Sequence, residues 1–311
     1  MDNISALIGQ AVTLSGESGY QNSYKPLGGG ELNDTYVLDF AEDKKMLLRI
    51  ARYADQKTLA NEANALKLLD GKLVPRLVFF NEDSRVENRL WILESYLPGK
   101  TAERLNLAQF HSLGGLLATV HQVKSESTGL HLWQRFTEAC RTFGDENKLL
   151  NHPDNRIQKL ILDAKAYFES SQPIFDTVTP SLIHGDATLS NVLIDDTDVA
   201  LIDWELSCFS DPMAEFSTIY YDDMEYNKGK WRVHITSDER EALFKGYEEA
   251  GGAIDHERLK LWMIFDKLGA MVFLYWRIHE SGRSVTSEQL SQYQLDLENL
   301  LNSLEKSLIT K

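Results

Sequence analysis

Apolar positions along the chain follow two different periods, and the change between them organises the sequence. An opening segment with Ile4, Leu7, Ile8 and Val12 has the spacing of a short helix. Alternating or continuous apolar runs then predict strands: the segment from Leu27 to Leu38, which enters through glycines, Met46–Ile50, Val74–Phe79 and Leu90–Gly99. Between the second and third of these, Leu59, Ala63, Leu66 and Leu69 recur at helical spacing. Beyond residue 99 helices take over, with one apolar stripe at Leu107, Phe110, Leu113, Leu116, Leu117 and Val120 and another at Ile157, Leu160, Ile161, Ala164 and Phe168. Residues 124–153, polar with scattered aromatics, read as a helical insertion. A helix is expected from about Asp255 to Glu280, stopped by Ser281–Gly282, and a last one from a Thr286-to-Gln289 capping pattern through Leu304.

One stretch interrupts the helical part. Ser181–Glu205 contains three short apolar runs, Leu182–Ile183, Val192–Ile194 and Val199–Ile202, with Asp195–Asp196–Thr197–Asp198 as the turn between the last two. A hairpin there returns the chain on itself, so Asp186 and Asn191 before it can lie close to Asp203 after it. A carboxylate and an amide oxygen make a hard-oxygen pair suited to Mg²⁺, which takes few protein ligands. Asp186 is then left to accept a proton from a substrate hydroxyl. His184–Gly185–Asp186, Asn191 five residues past the Asp, and Ile202–Asp203–Trp204–Glu205 together resemble the aminoglycoside phosphotransferase and choline kinase-like family. The same spacing is that of the protein-kinase catalytic loop and its magnesium Asp.

That resemblance implies an α+β, bilobed, protein-kinase-like fold: a small antiparallel-sheet lobe over residues 1–96 and a larger, mainly helical lobe over residues 97–311, with MgATP between them. It implies a role for Gly28, Gly29 and Gly30 as the hairpin that covers the nucleotide, where backbone without side chains approaches phosphates closely. Arg49, a charge on an otherwise apolar strand, needs a partner, and Glu62 on the following helix is the candidate. The pair resembles the cation that clamps the nucleotide and its orienting glutamate. Glu94 and Tyr96 fall at the hinge-like end of a strand, whose backbone groups would hold adenine. Gly99–Lys100–Thr101 is similar to the end of a P-loop, but the position five residues before Gly99 is Glu94, so a P-loop is rejected. His184 reads as a packing residue beneath the loop, and Glu205 as sharing Asp203's strand face if the strand continues, within reach of metal-bound water or a substrate cation. Ser210–Phe216 resembles the family's Asp-Pro segment, with Glu215 where Asp is commoner, and the absence of an Ala-Pro-Glu ending argues against a regulated protein kinase.

Composition narrows the partners. A formal charge of −15 over 311 residues disfavours nucleic acid and anionic membrane surfaces and favours a cationic small substrate. Two cysteines, Cys140 and Cys208, fit a reducing cytoplasm. No 18-residue apolar run and no basic-then-apolar start argue against membrane insertion and secretion by that route. A monomer and a homodimer both fit. The acceptor would be a small hydroxylated molecule, met by Glu205, by the acidic run at Asp222, or by a cage of Trp262, Asp266 and Trp276. Choline or thiamine is favoured over aminoglycosides and fructosyl-amines. The rivals are a non-catalytic nucleotide-binding module on the same fold and a metal-assisted hydrolase.

Overall fold

The computed structural model describes residues 3–28, 32–53, 58–69, 71, 74–101, 103–196, 198–219, 235–282 and 284–309. In chain order the elements begin with α1 (Asn3–Ser15), β1 (Tyr20–Leu27), β2 (Asn33–Phe40), β3 (Lys45–Ala51), α2 (Thr58–Leu68), β4 (Leu77–Phe79), β5 (Trp91–Ser95), β6 (Lys100–Thr101) and α3 (Leu107–Val120). There follow α4 (Leu132–Ala139), α5 (Glu146–Leu150), α6 (Asn155–Ser170) and α7 (Gln172–Phe175), then β7 (Ser181–Ile183), β8 (Val192–Asp195), β9 (Asp198–Leu201) and β10 (Cys208–Ser210). Among the described residues α8 (Pro212–Ile219), α9 (Ser237–Glu249), α10 (His256–His279) and α11 (Ser287–Ile309) come last. The predicted strand at Val74–Phe79 is realised only over its last three residues.

The chain forms two compact units that do not follow chain order: Met1–Val123 with Leu182–Cys208 and Glu241–Gly251, and Lys124–Ser181 with Phe209–Arg240 and Gly252–Lys311. The first is built on a five-stranded antiparallel sheet in the order β1-β2-β3-β5-β4. Residues directly opposite on antiparallel strands share a face, so the register separates two sets. Tyr36, Leu48 and Leu93 face one way with Leu38, Met46, Ile50 and Trp91, and Leu7, Ile8, Ala11 and Val12 of α1 close over them as a core. Thr35, Arg49 and Ile92, and beside them Val37, Leu47 and Glu94, face the other way. Polar groups on that second face are therefore placed by strand alternation. The alternation that reads Arg49 as opposite to Met46, Leu48 and Ile50 in the sequence is the one found.

Past β5 Pro98–Gly99 turns the chain into β6, which pairs with β8 in a three-stranded sheet ordered β6-β8-β9. Gly99 has φ 137°, and a Cβ there would stand 3.1 Å from the Ile194 carbonyl oxygen, so the turn requires glycine. The second unit is helical. Its core gathers Phe136, Phe168, Trp262 and Phe265, with the Trp262 and Phe265 ring centroids 4.9 Å apart. Asp255 caps α10, which starts about where the sequence pattern puts it, and the Thr286–Gln289 capping box opens α11 as that pattern implies. Among the described residues no helix is long and apolar enough to cross a membrane.

Candidate active site

The β8–β9 hairpin forms as read, with Val192 opposite Leu201 and Asp195 opposite Asp198; Thr197 of the turn lies outside the described residues. Ile202 N–H donates to the Asn191 carbonyl at 3.0 Å, which carries the pairing one residue further and brings Asn191 beside the chain that continues into Asp203. The amide of Asn191 donates through Nδ2 to the Asp186 carboxylate Oδ2 and to the Asp186 carbonyl, both at 2.9 Å. With Nδ2 turned toward Asp186, Oδ1 is the Asn191 atom left to meet a cation.

Two features hold the Asp186 loop in place. Gly185 has φ 80°, and a Cβ built on it would come within 2.4 Å of the Leu206 carbonyl oxygen, so no other residue fits. His184 is fully buried; its Nε2 meets the Ile202 carbonyl at 2.9 Å, its Nδ1 receives the Asp186 N–H at 3.3 Å, and its ring packs on Trp204 with centroids 4.5 Å apart. The Nε2–H tautomer satisfies both hydrogen bonds. The packing role read for His184 is the one it has.

At the far end of the hairpin the strand stops. Asp203 adopts φ 68°, ψ 65°, and residues Trp204–Leu206 form a 3-10 turn. Glu205 therefore does not share a strand face with Asp203, which corrects the sequence expectation. Its carboxylate instead accepts from Asn33 Nδ2 at 3.1 Å and stands 3.9 Å from the Arg49 guanidinium. A left-handed conformation at a non-glycine residue costs roughly 1–2 kcal/mol. Here it turns the Asp203 carboxylate toward Arg49, whose NH2 donates to Oδ1 at 2.6 Å.

Arg49 is the hub of this unit. Its NH1 donates to both oxygens of Glu62, at 2.6 and 2.7 Å, and Glu62 also accepts the Trp204 N–H at 3.2 Å. The pair expected from the sequence is thus formed in the interior, with Glu62 fully buried. Burial, helped by the nearby Asp203, pushes the Glu62 carboxyl up, to about 7, even though the adjacent Arg49 opposes the shift. For Arg49 burial works against the charge, but the carboxylates of Glu62 and Asp203 outweigh it and the guanidinium is held more firmly protonated than usual. Glu94 faces the same cluster, 2% exposed, and its Oε2 has no hydrogen-bond partner among the described residues. Burial, then the nearby Glu62, push its carboxyl well above the ordinary glutamate value.

Tyr96 donates its N–H to the Lys45 carbonyl at 3.4 Å, so its carbonyl rather than its amide is what it can offer a ligand. Gly28 follows β1 directly, and a Cβ there would meet nothing within 4 Å. Gly29, Gly30 and the acidic residue Asp222 lie outside the described residues.

The proposed substrate cage belongs to the second unit, and its members part company there. Trp262 is a core residue, 3% exposed, whose indole N–H donates to the buried Asp211 carboxylate at 3.0 Å, beside Arg258 NH1 at 2.9 Å. It is a structural anchor for the Asp-Pro segment and not a wall of a cage. Asp266 accepts from Ser217 Oγ, while Trp276 lies against Phe143 at 5.5 Å. Glu215 is buried, in the segment where an anchoring acid is expected. The sequence reading missed Asn33 and the Trp204 amide, which hold Glu205 and Glu62. A polar residue on the inward face of β2 is the signal that could have revealed Asn33.

A metal fits these residues. Among the described residues no three His, Cys, Asp or Glu side chains form a group able to hold an ion alone. Asp203 and Asn191 Oδ1 offer two hard oxygens, as suits an ion that takes few protein ligands and completes its shell with water and phosphate.

Residues 23–262 match the sequence model of the phosphotransferase enzyme family. No curated protein matches the sequence significantly. Among solved structures, a protein of Ralstonia eutropha JMP134 assigned as an aminoglycoside phosphotransferase superposes with a TM-score of 0.68 at 16% identity, over 100% of this chain and 99% of that one. The choline kinase LicA of Streptococcus pneumoniae gives 0.63 at 17% identity, over 97% and 100%. The amicoumacin kinase hAmiN, in complex with AMP-PNP, Ca²⁺ and its ligand, gives 0.67 at 12% identity, over 97% and 94%. At such identities the likeness is one of fold: an α+β kinase-like architecture with an antiparallel amino-terminal sheet and a helical carboxy-terminal region.

Proposed function

We propose that this chain, which belongs to the phosphotransferase enzyme family, transfers the γ-phosphoryl group of ATP, with magnesium, to a hydroxyl of a small cationic molecule. The observation that carries the reading is the bond from Asn191 Nδ2 to the Asp186 carboxylate, which orients a proton acceptor and a metal-facing amide oxygen in one contact. Phosphoryl transfer depends on positioning and charge neutralisation more than on covalent chemistry.

In this reading Asp186 Oδ1 and Oδ2 orient the acceptor hydroxyl and take its proton as the oxygen attacks, a role worth about 10²–10⁴ in rate. Asn191 Oδ1 and Asp203 would hold the magnesium ion, which supplies Lewis-acid neutralisation of the phosphate oxygens. Arg49, fixed by Glu62, presents its remaining donors to phosphate. His184 and Gly185 keep the Asp186 backbone from shifting, through the Ile202 carbonyl and the close approach to Leu206. The complex of the amicoumacin kinase with AMP-PNP and Ca²⁺ supports a nucleotide and a divalent ion on this fold. The formal charge of −15 and the choline kinase among the fold neighbours favour a cation of the choline or thiamine type as the acceptor.

The test is ADP release by the purified protein with MgATP across choline, ethanolamine, thiamine, several aminoglycosides and a fructosyl-amine, each repeated with Asp186→Asn. One acceptor should stimulate release strongly, and the variant should lose about 10²–10⁴ of that rate. Release that no acceptor stimulates, or that survives in the variant, defeats the proposal.

A further inference from the structure

Within the first unit the oxygen Oε2 of Glu94 stands out, because it is buried and has no hydrogen-bond partner among the described residues. Such atoms are rare in folded proteins and call for an explanation in a ligand, a water or a strained state. Its neighbours do not supply one: Arg49 NH1 is engaged by Glu62 and NH2 by Asp203. The position is informative. Along β5, Ile92 lies opposite Arg49 and Glu94 opposite Leu47, on the same sheet face, and Tyr96 is two residues further toward the hinge. A nucleotide whose base lies at the hinge and whose phosphates reach Arg49 must pass Glu94.

We propose that Glu94 determines nucleotide specificity by reading the edge of adenine that carries the 6-amino group and N7, accepting from the amino group and donating to the ring nitrogen. The inference rests on the phosphotransferase reading above and deepens it. Burial and the nearby Glu62 both favour the neutral acid, and a neutral carboxyl carries one acceptor and one donor side by side. That pattern is the one a glutamine amide offers when it binds the same adenine edge in the major groove of DNA. Guanine presents two acceptors there, O6 and N7, so one of its atoms is left facing an acceptor. An ionised carboxylate would meet N7 with like polarity, which ties the selectivity to the proton.

The experiment measures binding of ATP, GTP and 7-deaza-ATP, with Mg²⁺, to the wild type, Glu94→Gln and Glu94→Met, by calorimetry. Circular dichroism confirms that each variant is folded. The wild type should prefer ATP to GTP by on the order of tenfold or more, Glu94→Gln should keep the preference, and Glu94→Met should lose it. Loss of N7 should weaken binding about 3–10-fold in the wild type and in Glu94→Gln but not in Glu94→Met, because the two deletions remove one contact. Raising the pH should erode ATP affinity in the wild type and leave Glu94→Gln unchanged. A 7-deaza penalty equal in all three proteins, or a methionine variant with unaltered nucleotide preference, overturns the proposal while leaving the phosphotransferase reading intact. Failure of the wild type to bind any of the nucleotides defeats both.

Discussion

Replacing Glu62 with leucine separates the fold's need for the Arg49–Glu62 pair from the site's need for it. The substitution removes the carboxylate that takes two bonds from Arg49, at 2.6 and 2.7 Å, and one from the Trp204 amide at 3.2 Å. Arg49 is left with a side chain only 10% exposed and Asp203 as its remaining close partner. Both members of the pair lie in the interior, so solvent screening does little to soften the loss, and removing one partner of a buried ion pair costs about 3–5 kcal/mol. Arg49→Met should cost less at low pH than at high pH, because Glu62, already pushed up to about 7, can take a proton when its cation is gone. The double variant Arg49→Met/Glu62→Leu restores a neutral interior of similar volume. It should be more stable than Glu62→Leu alone, giving a coupling of about 3 kcal/mol in a double-mutant cycle. The assay is urea unfolding followed by tryptophan fluorescence, where Trp91 and Trp204, both buried, report on the first unit. MgATP binding should weaken in all three variants, since each removes or releases the guanidinium. If Glu62→Leu costs under about 1 kcal/mol, or if the double variant costs the sum of the singles, the pair does not hold the unit as argued.

Two further outcomes follow from the same geometry. Gly185→Ala forces a φ of 80° on a residue with a Cβ and drives that Cβ to 2.4 Å from a backbone oxygen, so it should lose about 1–2 kcal/mol for the conformation and a further ~1–3 for the clash; an unchanged melting temperature would contradict this. Glu94 holds its proton more tightly in the folded protein than in the unfolded chain, so its contribution to stability is full below the unfolded value of 4.5 and is lost as pH rises through the folded value. Wild-type stability should therefore fall relative to Glu94→Gln as pH rises above the unfolded value of 4.5, and a difference in urea unfolding that stays constant as the pH is raised would refute it.

What the sequence made legible was whatever depends on local period. Alternation on β3 puts Arg49 on the face away from Met46, Leu48 and Ile50, helical spacing puts Glu62 on α2, and the polar turn between two apolar runs makes the β8–β9 hairpin. The spacing from Asp186 to Asn191 is short enough for the same reasoning, and the two are bonded. What it did not make legible depends on distant partners or on a departure from period. Nothing in Ile202–Asp203–Trp204 marks a left-handed residue, because no glycine stands there, so the pattern leaves open a strand continuing to Glu205, whereas the strand ends at Leu201. Trp262 has the same local signature whether it lines a cage or fills a core. The choice is made by Asp211, 51 residues away, whose buried carboxylate takes the indole N–H.

The charge around Arg49 bears on the proposed reaction in a way that the net charge of −15 does not. One guanidinium is surrounded by Glu62 and Asp203 in direct contact, Glu205 at 3.9 Å, and Glu94 on the same sheet face. With all four carboxyls ionised the cluster would be strongly negative, and a triphosphate entering it would be repelled in a region where water screens little. Two adjustments relieve that. Glu94 can stay neutral, the direction in which burial and Glu62 both drive it. On the proposed reading Asp203 would exchange its contact with Arg49 for a divalent ion, freeing NH2 for phosphate while its own charge is neutralised. On the proposed reading the ion and the nucleotide therefore bind with mutual reinforcement, since each relieves a repulsion that the other would meet alone, and the acidic residues nearest Arg49 are explained by phosphate handling without any appeal to a cationic acceptor.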